Sequence, residues 1–122
     1  MLNREQILSA KDRAQQVIHV EEWGGDVTIT ALSVRDRSNL LSEWARLGTL
    51  QKEGGDSVGA MLDIKLRLVA LSITDADGVP LFNADDITEL AHKSDGPIGA
   101  ISDAAILLNR FFVAATEEVA KN

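Results

Sequence analysis

Residues 16–32 read QVIHVEEWGGDVTITAL, and their pattern decides the fold class. Val17, Ile18 and Val20, then Val27, Ile29 and Ala31, form two short β-prone runs around Gly24-Gly25. Paired glycines supply the positive φ angles that a tight reversal requires, so the stretch predicts a β-hairpin. In the second run the apolar residues alternate with Thr28 and Thr30, which turns one face inward and leaves the other wet. A two-stranded hairpin alone is marginal in water, so its apolar face needs helices to lie on. The expectation is an α+β fold, with an N-terminal β-hairpin packed against a mostly helical bundle of about four helices.

The flanking sequence carries those helices. Asn3 with Gln6 three residues on marks a short first helical turn through Ala10. Ser33 followed by Asp36 has the form of a capping box, after which Leu40, Leu41, Trp44 and Leu47 recur at helical spacing and Gly48 can end the helix. KEGGDS at 52–57 reads as a solvated loop. The next helix, from about Val58 to Ser72, is apolar nearly all round, which assigns it to the centre of the domain. Asp63 and Arg67, four apart on it, are placed for an exposed ion pair.

Residues 72–88, SITDADGVPLFNADDIT, pose a question of metal chemistry. Setting Gly78 at the sixth position of a calcium loop puts Asp75 and Asp77 at the third and fifth. It also puts Ile73 at the first and Ala84 at the twelfth, where ligands are required. The bidentate ligand is missing. Asp-Gly after an apolar run signals a turn instead, Pro80 keeps Val79 extended, and Leu81 and Phe82 are expected back in the core. Asn83 and Asp86 then have capping-box spacing for a short helix.

Beyond a break at 93–99 containing Pro97, the positions Ile98, Ile101, Ala105, Leu108, Phe112, Ala115 and Val119 form one continuous helical stripe. Ala104, Leu107, Phe111 and Ala114 form a neighbouring one. Leaving a phenylalanine in water forgoes roughly 2–3 kcal/mol. Either the central helix and the hairpin cover both stripes, or a second copy of the chain covers one.

Composition excludes much. A chain of 122 residues fits one domain with its own core, and the absence of cysteine rules out disulfides, thiolate zinc sites and a thiol nucleophile. A net charge of −7 with scattered basic residues argues against nucleic acid. No apolar run approaches the ~20 residues of a membrane span, and MLNREQILSA has no signal-peptide pattern, so cytoplasm is expected. His19 and His92 stand in neither a metal-ligand spacing nor a nucleophile-elbow pattern, and the glycine pairs match no phosphate-binding fingerprint. Neither an enzyme nor a cofactor protein is indicated. The residues point to an interaction domain.

The ordered set MLNREQIL, EEWGGDVTITALS, VRDRS and LRLVALSITDADGVPLFNADDITEL, followed by an apolar final helix, resembles the tail assembly chaperones of long-tailed phages and prophages. The resemblance spans nearly the whole chain, with the WGG hairpin and the block from LVALS through DADGVPLF its most specific parts. It implies a non-enzymatic protein of the host bacterial cytoplasm that self-associates and coats the helical tape measure protein. That protein stays soluble until tail tube subunits polymerise around it, and the chaperone is absent from the finished virion. It also implies a longer frameshifted form whose extension recruits the tube protein. Leu107, Leu108, Phe111 and Phe112 on the final helix, with Trp23 second, are the expected contact residues, against the alternative that all five are core. A different small tail or head–tail component, or an acidic regulatory binding protein, would fit the same composition.

Overall fold

The computed structural model describes residues 1–111, so the expected contributions of Phe112, Ala114, Ala115 and Val119 lie outside the described residues. The hairpin is present as β1 (Gln15–Val20) and β2 (Gly25–Thr30), antiparallel, with Gln15 opposite Thr30 and Val20 opposite Gly25. Its reversal takes four residues rather than the two glycines alone. Glu21–Trp23 make a 3-10 turn, only Gly24 is left-handed (φ 71°), and Gly25 already belongs to β2. The longer reversal turns Trp23 back onto the core, where it is half-buried.

A third strand, β3 (Ile73–Thr74), pairs antiparallel with β2 and makes it the central strand in the order β1-β2-β3. The far side of β2 is therefore not fully wet: Thr30 is buried, and its hydroxyl lies 2.7 Å from that of Thr74. A buried hydroxyl is tolerated when it is paired, and these two satisfy one another.

Among the described residues five α-helices accompany the sheet. α1 (Arg4–Ser9) is held by a full capping box, in which Asn3 and Gln6 exchange 2.9 Å hydrogen bonds. α2 (Val34–Lys52) starts where Ser33 Oγ accepts the Asp36 N–H at 3.2 Å. It runs through Gly48, because one interior glycine costs only about 1 kcal/mol and Leu47 beside it is buried. The helix ends four residues later at Lys52, followed by left-handed Gly54 (φ 75°), with Gly54 N–H on the Gln51 carbonyl and Gly55 N–H on that of Leu50. Those two bonds are a Schellman ending, which needs the left-handed residue.

α3 (Ser57–Ser72) is capped by Asp56 and leads directly into β3. Arg67 pairs with Glu43 of α2 instead of Asp63, so the bond ties two helices together and does not decorate one. Asn83 and Asp86 form the expected capping box before α4 (Ile87–Leu90), preceded by a 3-10 turn over Ala84–Asp86. Phe82 packs on the core, whereas Leu81 remains exposed.

α5 (Asp95–Leu108) opens inside the expected break, with Pro97 in its first turn, where a missing N–H removes no helical bond. It also closes early. Arg110 is left-handed (φ 56°), and Arg110 and Phe111 donate to the carbonyls of Leu107 and Ile106, each at 3.1 Å. The continuous stripe from Ile98 to Val119 is thus interrupted at Asn109. The cause is local: Asn109 Oδ1 accepts the Leu32 N–H at 2.7 Å and its Nδ2 donates to Ala105. The Arg37 guanidinium donates to the Asn109 carbonyl and lies 4.4 Å over the Phe111 ring. Capping by Asn109 wins over helix propagation.

Two apolar clusters result. The first joins Ile29 and Val20 of the sheet to Leu66, Val69 and Ile73, and to Ile98 and Ile101 of α5. The second joins Leu40 and Leu47 of α2 to Ile64, Leu68, Ala105 and Phe111. Ile101, fully inaccessible, should lose about 2–5 kcal/mol on truncation to alanine, measured by denaturant unfolding. The Ser72 hydroxyl is buried with no hydrogen-bond partner among the described residues. Ser72→Ala is therefore expected to leave stability unchanged or raise it by up to about 1 kcal/mol in the same assay.

Candidate protein-interaction surfaces

The aspartates that resembled metal ligands are used within their own turn. Asp75 Oδ1 accepts the N–H groups of Asp77 (2.8 Å) and Val79 (3.0 Å), Gly78 takes the left-handed position at φ 85°, and Asp77 pairs with Lys11 at 3.1 Å. Among the described residues no group of three or more His, Cys, Asp or Glu side chains is placed to hold a metal ion. His19 sits on the exposed side of β1 with Nδ1 2.8 Å from Asp26 Oδ1, its cross-strand neighbour. Among the described residues no helix is long and apolar enough to cross a membrane.

The expected contact residues do not gather on one surface. Trp23 and Leu108 are half-buried against the first cluster. Phe111 is 6% exposed and belongs to the second cluster. Leu107 points outward at 72% exposure, on the opposite side of α5 from Ala105. Phe112 lies outside the described residues. The four described residues thus divide between core and surface, and Leu107 alone is displayed.

A more extensive apolar surface lies elsewhere, in a groove of about 310 Å³ between α2, α3 and α5. Leu41 and Trp44 stand on its α2 side, Met61 and Leu62 on its α3 side, Ile106 on α5, and Phe111 forms part of the buried wall. Leu62 is 49% exposed, and Leu41, Trp44 and Met61 are open to a similar degree. Polar residues touch it only at the margin, through Lys65, Ser102 and Asp103. Lys65 reaches Asp95 at 3.8 Å, whereas Asp103 is exposed and has no hydrogen bond or ion pair among the described residues.

The groove follows from α3 itself. From Ile64 onward its apolar residues are enclosed by α2, α5 and the sheet; at Val58, Met61 and Leu62 they extend past that enclosure. The signal was present in the sequence as apolarity around the whole helix. That pattern is ordinarily the mark of a central helix, and here one half of α3 is central and the other half displayed.

Among the described residues a three-stranded antiparallel sheet with α3 and α5 against it, and α2 packed on α3, makes an α+β fold. Among solved structures the chain matches the tail assembly chaperone of bacteriophage HK97 with a TM-score of 0.61, over 85% of this chain and 94% of that one. Identity is 18%, so the likeness is one of fold. No family model matches the chain, and no curated protein matches it.

The different placement of Phe111 and Leu107 has opposite consequences for mutation. Phe111→Asp should remove about 3–5 kcal/mol or more, enough to unfold a marginal domain, because it strips the second cluster and the Arg37 contact. Leu107→Asp should stay within about 0.5 kcal/mol of the parent. Paired thermal melts of the two variants test this assignment.

Proposed function

We propose that this protein is a tail assembly chaperone of a long-tailed phage or prophage, acting in the host bacterial cytoplasm. It self-associates and binds the tape measure protein, keeping that long helical chain soluble until tail tube subunits polymerise around it. The observation that carries the reading is the fold shared with the HK97 chaperone over most of both chains. Displayed apolar helix surface on a protein of net charge −7 supports it. Apolar helix faces recognise other helices by side-chain insertion, and a strongly acidic exterior keeps a large complex dispersed.

On this reading the protein works without turnover. Its helices supply contact surface and its charge supplies solubility. Leu107 at the end of α5 is the best-placed of the expected contact residues to meet the tape measure protein, with Leu108 and Phe111 packed into the two apolar clusters on either side of it. A longer frameshifted form would add the contact to the tube protein.

Co-expression with the tape measure protein of the same phage provides the test. The tape measure protein should move from the insoluble to the soluble fraction and co-purify with this chain, and Leu107→Asp should reduce recovery at least severalfold while its melting temperature is retained. Failure of the wild-type protein to change tape measure solubility would overturn the reading, as would its presence as a component of purified virions.

A further inference from the structure

The two edges of the sheet are finished differently. Beyond β3 the chain turns back and Pro80 forms a bridge opposite Thr74, flanked by the bonds from Asp75 N–H to the Val79 carbonyl and from Leu81 N–H to the Ile73 carbonyl. Those flanking bonds turn the nitrogen of Pro80 outward, and a proline there has no N–H to offer a further strand. The other edge is β1. It contains no proline, no lysine and no bulge, and its register against β2 runs unbroken from Gln15 to Val20. The devices that usually blunt an edge strand are absent from it.

The register also fixes which backbone groups face outward. Ala31 N–H donates to the Ala14 carbonyl at 2.8 Å, and hydrogen-bonded pairs alternate along an antiparallel ladder. Gln16, Ile18 and Val20 therefore bond to β2, while Gln15, Val17 and His19 turn their N–H and C=O groups away from it. Among the described residues no hydrogen bond from outside the ladder reaches the backbone of Val17 or His19. Arg13 donates to the carbonyls of Gly78 and Ala31, which ties the preceding connector toward the β3 side and away from this edge.

We propose that β1 pairs with β1 of a second copy, antiparallel about a two-fold axis at Val17, so that two sheets join into one. This rests on the self-association proposed above and specifies a contact for it. The choice of a second copy follows from register and charge. Outward groups bond only to outward groups, and centring the pair on Val17 engages all three outward residues of each copy, with Gln15 of one opposite His19 of the other. The strand carries no ionisable side chain except His19, so two chains of net charge −7 can approach along it. The same register sets Arg13 of one copy opposite the exposed Glu21 of the other at both ends, and the Arg13 guanidinium has N–H donors beyond the two already engaged. A two-fold contact is self-complementary and closed, and it leaves the helix faces available to the tape measure protein.

Single-cysteine cross-linking tests the register directly, because the chain has no cysteine of its own. With oxidised glutathione as oxidant, Val17→Cys should give a disulfide-linked dimer, since directly paired Cα atoms about 5.5 Å apart permit the bond. His19→Cys should not link to itself, its Cα atoms lying more than about 13 Å apart in this register. Mixed with Gln15→Cys it should link. Val17→Pro removes one outward N–H from each copy and should weaken dimerisation roughly tenfold in light scattering, with the melting temperature nearly retained. Ile18→Pro instead removes a bond to β2 and should lower the melting temperature. A Val17→Cys chain that gives no dimer, or His19→Cys that links to itself as readily, overturns the edge pairing and leaves the chaperone reading to the co-expression test. A wild-type chain that stays monomeric at every concentration overturns the pairing as well.

Discussion

The fold depends on the packing of α3, which meets β3, α2 and α5 at once. Its C-terminal half contributes Leu66, Val69 and Ala70 to one apolar cluster and Ile64 and Leu68 to the other, so no second element could be removed without exposing part of it. β3 follows without a linker, which makes the third strand a continuation of the same helix and fixes the sheet directly upon it. The N-terminal half obeys the same sequence rule, but among the described residues Val58, Met61 and Leu62 stay exposed. One helix thus contributes to both apolar clusters and to the wall of an apolar groove.

That division explains which parts of the architecture were legible in the sequence. The hairpin was, because Val27, Ile29 and the threonines between them alternate with period two and Gly24 has the conformation a reversal needs. The helix starts at Ser33 and Asn83 were legible too, because a cap is a local hydrogen bond that residues three apart determine. The third strand was not. Two residues are too few to show a period, and Ile73 and Thr74 fall between the helix expected to end at Ser72 and the Asp-Gly turn. Helix ends were misplaced where a long-range contact decided them, as at Asn109, whose side chain is claimed by the Leu32 amide far away in sequence.

The candidate surfaces were only half visible for a related reason. Periodicity says which residues share a face; it does not say whether another element covers that face. Phe111 and Leu107 lie on one predicted stripe, yet the left-handed turn at Arg110 folds Phe111 under Arg37 and leaves Leu107 outward. Met61 and Leu62 had the features of core residues, yet both are close to half exposed. α1 was visible as a capped turn, but that it buries none of its residues is a tertiary fact.

On the proposed function this protein acts by covering and being covered, with exposed apolar helix residues such as Met61 as its working surface. Hydroxyl-radical footprinting of Met61, compared between the free protein and its complex with the tape measure protein, addresses that claim most directly. A severalfold fall in oxidation of Met61 in the complex is the expected result, since its thioether would pass from water into a protein contact. A complex that forms while Met61 oxidises at the free rate would contradict it.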